Sequence, residues 1–113
     1  MEQALADYIW NYHRSLAKKV EAKAWRHLST KEKMDVDALR HAKMELMKHG
    51  LLTEDEDALA LVALGFPELK RRVVESIWAQ HGQELVINRC TKCNGVCRTP
   101  EAKQCRFCHH DWH

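Results

Sequence analysis

Cys90-Thr91-Lys92-Cys93 is followed, after eleven intervening residues, by Cys105-Arg106-Phe107-Cys108. Two Cys-x-x-Cys pairs at this separation supply four thiolates to one tetrahedral ion, because each pair makes a tight turn that aims both sulfurs at one point. The spacing assigns Cys90, Cys93, Cys105 and Cys108 as the ligands of a single structural Zn2+. The segment between the pairs is shorter than the roughly 15–20 residues of the common pattern, so it holds two brief arms and no inserted helix. Each knuckle also needs a residue that accepts left-handed backbone just after its second cysteine. Asn94-Gly95 suits the first knuckle well and His109-His110 the second less well. The rivals are iron in place of zinc, and a histidine in place of one cysteine ligand.

Working outward, residues 83–113 hold few large apolar side chains, and segments that small need a staple to stay ordered. The sequence divides at that point into a helical region, 1–82, and a zinc-binding tail, 83–113. Residues 1–82 carry thirteen Lys and Arg against thirteen Asp and Glu; the tail carries five against three. Four thiolates on a divalent ion contribute minus two, which brings the formal charge of +2 close to zero. Such a balance disfavours nucleic-acid binding, which usually shows a basic surplus. An early acid, Glu2, and the lack of a long apolar run predict neither a secretory signal nor a membrane span. The expected compartment is the cytoplasm, where paired cysteines serve as ligands more often than as disulfides.

Leu5, Ile9, Tyr12, Leu16, Val20 and Ala24 recur at steps of three and four, which predicts one long amphipathic helix. Trp10, Trp25 and Trp78 lie on or beside apolar stripes, so core is their default; the rival is a second, exposed edge of Tyr8, Trp10 and Trp25 that pairs with another chain as a homodimer. Ser29-Thr30-Lys31-Glu32 reads as a capping box for a helix over 36–47, stopped by Gly50. Thr53-Glu54-Asp55-Glu56 reads as a second capping box, opening a short helix that is apolar nearly all round and expected to be the most buried element. Pro67 suits the first turn of a fourth helix whose inner face is Leu69, Val73, Ile77 and Trp78, with Gly82 after it. Glu84–Asn88 and Val96–Thr99 are β-prone, and no internal repeat is visible. The predicted fold is mainly α, about four helices followed by a small C-terminal β zinc ribbon.

Cys97 reads as a small apolar residue on the inner face of the second β-prone run, with an alternative ligand or redox role as the rival. In the terminal run His109-His110-Asp111-Trp112-His113, the histidines are expected in the knuckle turn and Trp112 folded over the metal. Lys70-Arg71-Arg72 reads as a solvated helix face that can join Arg89, Lys92, Arg98 and Arg106 in binding phosphate. No Gly-rich phosphate loop, paired carboxylates or Ser-His-Asp set stands out, so no catalytic residue is assigned.

Arg89-Cys90-Thr91-Lys92-Cys93-Asn94-Gly95, with the later Arg98-Thr99-Pro100 and Gln104-Cys105-Arg106-Phe107-Cys108-His109-His110-Asp111-Trp112, resembles a zinc ribbon. More narrowly, it is similar to the C-terminal ribbons of small bacterial and phage proteins of unassigned function, which read Cys-Pro-x-Cys-Gly, Arg-Thr-Pro, then Gln-Cys-x-x-Cys-Gly-His-Asp-Trp. Thr91, Asn94 and His109 stand where those ribbons have Pro, Gly and Gly. As a class, zinc ribbons often serve transcription and other nucleic-acid machinery, by direct contact or as docking modules. The expectation is a non-enzymatic zinc-binding regulator or adaptor that docks a macromolecular partner, in transcription or phage–host biology. Arg98, Lys103, Arg106 and Trp112 would form the partner surface. The alternative is a nucleic-acid-binding module using the basic ribbon face; a metal-dependent hydrolase or nuclease is the third reading.

Overall fold

The computed structural model describes residues 1–112; His113, the end of the terminal histidine run, lies outside the described residues. Five α-helices run in the order α1 (Gln3–His13), α2 (Lys19–Lys33), α3 (Val36–Lys48), α4 (Glu56–Val62) and α5 (Phe66–His81). The predicted long first helix is thus two helices. A 3-10 turn at Arg14–Leu16 follows α1, and Lys18 is extended. The Lys18 amide donates to the Glu21 carboxylate at 3.0 Å, which starts α2 afresh. Each half keeps its own three-and-four spacing, so the periodicity alone did not reveal the break.

The chain forms two compact units, Met1–Leu16 with Val74–His113, and Ala17–Val73. In the first unit, Leu5, Tyr8, Ile9 and Trp10 of α1 and Val74 and Ile77 of α5 are buried together with Cys90, Val96, Cys97 and Cys105. Tyr8 and Trp10 belong to the core, which is the default reading for Trp10 and not the exposed-edge rival. On α5, Val74 is buried where Trp78 was expected; Trp78 is 37% exposed.

In the second unit α2 packs against α4. The buried side chains there are Glu21, Ala24, Thr30, Ala58, Leu69 and Val73. Thr30 is no capping residue: it lies inside α2 and its hydroxyl donates to the Arg26 carbonyl at 2.8 Å. The cap of α3 is Asp35, whose carboxylate accepts from the Ala38 amide at 2.7 Å. That of α4 is Asp55, accepting from the Asp57 and Ala58 amides, with Thr53 Oγ1 accepting from the Asp55 amide. The Ala58 amide foremost, then Lys23 at 3.3 Å and the Asp57 amide, hold the Asp55 carboxyl below its usual range. Contrary to expectation, α4 is largely exposed and Ala58 is its one buried residue. Seven residues rich in Ala and Leu offer hydrophobic surface, but burial needs a neighbour on each side, and α4 packs chiefly on α2.

Glu68 accepts from both Arg71 and Arg72 on the α5 surface, and the Arg71 hydrogen bond leads in lowering its pKa to about 2. Two cations of the Lys70-Arg71-Arg72 run are thus directed at a carboxylate of their own helix. Among the described residues no helix is long and apolar enough to cross a membrane.

The β-prone runs form no strands among the described residues. Two isolated antiparallel bridges, Arg89↔Val96 and Gln104↔Asp111, stand in their place. Val86 is 80% exposed, and Leu85 and Ile87 on either side of it are only half-buried, so the 84–88 run buries little apolar surface to support a sheet.

Gly50 ends α3 with φ +73, as expected. The Leu51 amide donates to the Leu46 carbonyl and the Gly50 amide to the Met47 carbonyl, the paired bonds of a Schellman cap. A Cβ on Gly50 would meet nothing within 4 Å, so only the backbone angle opposes substitution. Gly50→Ala should cost about 1–2 kcal/mol and Gly50→Asn less, measured by urea unfolding; equal stability of all three would refute the left-handed cap.

Candidate metal centre

Each cysteine pair closes a knuckle by the same hydrogen bonds. In the first, the Asn94 amide donates to the Cys90 carbonyl at 2.9 Å and the Cys90 amide to the Gly95 carbonyl at 2.8 Å. In the second, the His109 amide donates to the Cys105 carbonyl at 3.0 Å and the Cys105 amide to the His110 carbonyl at 2.8 Å. The residue after each second cysteine is left-handed, Asn94 at φ +63 and His109 at φ +62. Both bridges, and the bonds from the Cys97 amide to the Asn88 carbonyl and from the Trp112 amide to the Lys103 carbonyl, obey the same rule. The second knuckle is the first with every residue number raised by 15. This structural repeat escaped the sequence because its two copies share little beyond the cysteines.

The knuckles face each other. Cys90 Sγ lies 3.6 Å from Cys108 Sγ, and Cys93 Sγ lies 3.5 Å from Cys105 Sγ. All four sulfurs lie within 4.8 Å of one another. A tetrahedral ion about 2.3 Å from each sulfur would place them about 3.8 Å apart, so the four thiols are positioned to hold one metal ion. Among the described residues neither Cys97 nor a histidine belongs to this cluster. Cys97 is buried, and burial pushes its thiol pKa up.

Backbone amides prepare the sulfurs. Cys90 Sγ accepts from Lys92 and Cys93 at 3.3 and 3.5 Å, and Cys105 Sγ from Phe107 and Cys108 at the same distances. The Cys108 amide, then the Phe107 amide, outweigh burial and bring Cys105 down to about 6. Burial opposes ionisation of Cys90, but the Cys93 and Lys92 amides prevail and lower its pKa. At Cys93 the Gly95 amide pulls down, yet the Cys105 sulfur, burial and the Cys108 and Cys90 sulfurs together push it up to about 12. Crowded sulfurs resist ionising together without a cation to balance them.

Two residues the sequence reading passed over complete the frame. Asn88 Nδ2 donates to the Thr99 and Ala102 carbonyls at 3.0 and 2.9 Å, tying the connecting arm to the base of the first knuckle. The Asn88 amide donates to Tyr8 Oη at 3.3 Å, which links α1 to the same point. Phe107 packs where Gly95 has no side chain: a Cβ there would lie 2.6 Å from Phe107 Cδ2 and 3.3 Å from Cys93 Sγ. Asn-Gly was a signal for a turn; the contact that requires the glycine comes from the other knuckle.

The expected partner residues are dispersed in role. Lys103 and Trp112 line one depression with Asn88, Pro100, Glu101 and Ala102. Trp112 therefore lies along the connecting arm, with the His110 ring 5.8 Å from its own. Arg106 stacks over Phe107 at 4.9 Å, and Arg98 is exposed.

No family model, curated protein or solved structure matches the chain.

Metal binding must displace protons from these thiols, Cys93's above all, so affinity should rise with pH through the neutral range. The expected slope is about tenfold per pH unit for each proton displaced. Chelator competition across that range measures it, and a flat profile would exclude thiolate ligation. Gly95→Ala should weaken the metal-bound fold by about 1–3 kcal/mol through overpacking. Adding Phe107→Ala should recover most of that loss; a loss that persists in the double variant would show the contact to be unimportant.

Proposed function

We propose that the chain is a non-enzymatic zinc-binding regulator or adaptor whose metal stiffens a C-terminal ribbon that docks a macromolecular partner. The observation that carries this reading is the clustering of four cysteine sulfurs within 4.8 Å. Four thiolates fill a tetrahedral shell and leave no position for a reactive water, which is the mark of a structural and not a catalytic site. Zinc suits an all-thiolate tetrahedron with no redox chemistry. The cysteines then act as ligands in a reducing compartment, consistent with a cytoplasmic protein. A rigid segment of this kind offers Lys103 and Trp112, a cation and an aromatic ring in one depression, to a protein partner.

The same pair supports a second reading, in which the aromatic ring stacks a base and the lysine meets phosphate. The near-zero net charge of the zinc-loaded chain weighs against it.

Elemental analysis of the purified protein should give one zinc per chain. Cys90→Ser or Cys105→Ser should release it and unfold the tail, whereas Cys97→Ser should keep it. One iron per chain, or loss of metal in the Cys97 variant, would overturn the assignment. A co-purifying protein lost on Trp112→Ala supports docking; nucleic-acid affinity that falls steeply with salt and with Arg98→Ala or Arg106→Ala supports the second reading.

A further inference from the structure

The helix α3 is amphipathic, yet none of its residues is buried. Val36 is 71% exposed and Met44 85%. A helix with an apolar stripe normally covers that stripe. Here one edge of it borders a shallow groove of about 380 Å3 between α3 and α2, within the unit Ala17–Val73.

The groove has a definite chemistry. Val36, Leu39 and Leu52 supply its apolar lining, and Lys31, Arg40 and Lys43 its charge. Val36, Leu39, Arg40 and Lys43 follow the spacing of one helix face, so they present a continuous strip. No carboxylate lines the groove; the nearest ion pair of its cations is Lys43 with Glu54 at 3.6 Å, both exposed. His27 closes one side. Its Nδ1 accepts from the Thr53 amide at 3.1 Å, and burial, then Lys31, hold its pKa down, so it adds shape and not charge.

We propose that this groove receives an acidic amphipathic helix of a protein partner. The partner's apolar anchors would lie against Val36, Leu39 and Leu52, and its Asp or Glu flanks would meet Lys31, Arg40 and Lys43. Helix-in-groove recognition uses anchors at three- and four-residue spacing, which an α3 strip of the same spacing matches. The cations select the sign of the partner. A second copy of this chain docked groove to groove would bring three cations against three. A nucleic-acid backbone would set phosphates on an apolar lining, and a flat membrane surface would not fill a concave one. The groove belongs to the unit Ala17–Val73 and no cysteine lines it, and the inference goes beyond the zinc-ribbon reading: it holds whichever metal the cysteines carry.

The test uses the full chain and a fluorescein-labelled helical peptide with leucines at alternating three- and four-residue steps and glutamates between them. Fluorescence anisotropy should show saturable binding that weakens with salt. Val36→Glu, at an exposed position, should weaken it roughly tenfold or more, and so should Lys31→Glu combined with Arg40→Glu. Circular dichroism checks that each variant keeps its helices; the charge-reversal pair, both exposed, decides the matter if Val36→Glu does not fold. A scrambled peptide of the same composition should bind much more weakly. No saturable binding, equal binding of the scrambled peptide, or variants that bind as well as the parent would overturn the proposal. So would a dimer seen in sedimentation that Val36→Glu dissociates, or tighter binding to duplex DNA or anionic phospholipid vesicles through the same three cations.

Discussion

Four sulfurs brought within 4.8 Å of each other set the terms for the whole C-terminal segment. Thiols so close cannot all lose their protons without a balancing cation, and the backbone is arranged around that demand. Two amides point at Cys90 Sγ and two at Cys105 Sγ. To turn those amides inward, the chain must become left-handed at Asn94 and again at His109. The 15-residue repetition of the hydrogen bonds is the outcome of one electrostatic requirement met twice. It also explains why the β-prone runs stay short of strands. Each knuckle closes on itself, and its single bridge joins its own two flanks, Arg89 with Val96 and Gln104 with Asp111.

The frame around the cluster is built from polar ties as much as from apolar packing. Asn88 is its junction: its side chain holds the connecting arm, its carbonyl holds Cys97, and its amide reaches Tyr8 on α1. A residue from the far end of the sequence thus supports the approach to the first knuckle. The Gly95–Phe107 contact does the same between the two knuckles. These links are what allow a segment with few large apolar residues to present a stable surface beside Lys103 and Trp112.

The unit formed by Ala17–Val73 follows a different logic. Its helices have well-formed ends, with Asp35, Asp55 and the Gly50 cap in place, yet α3 and most of α4 leave apolar side chains in solvent. Strong local signals combined with a thin interior leave hydrophobic area available for association. Lys31, Arg40 and Lys43 give the apolar α2–α3 groove a cationic border.

The sequence by itself singled out the four cysteines that cluster, the left-handed positions after each pair, the stop at Gly50 and the helical character of residues up to 82. These depend on residue type and spacing over a few positions, where chemistry is local. Only the tertiary structure decided where the first helix breaks, because both halves of Leu5–Ala24 satisfy the same periodicity and the buried Glu21 restarts the chain at Lys18. It likewise decided that Thr30 bonds within α2 while Asp35 and Asp55 cap, since several hydroxyls and carboxylates competed for each role. The exposure of α4 and of Trp78, and the glycine required opposite Phe107, were beyond a one-dimensional reading for one reason. Burial and close approach are set by what lies across the gap, and that neighbour is distant in sequence.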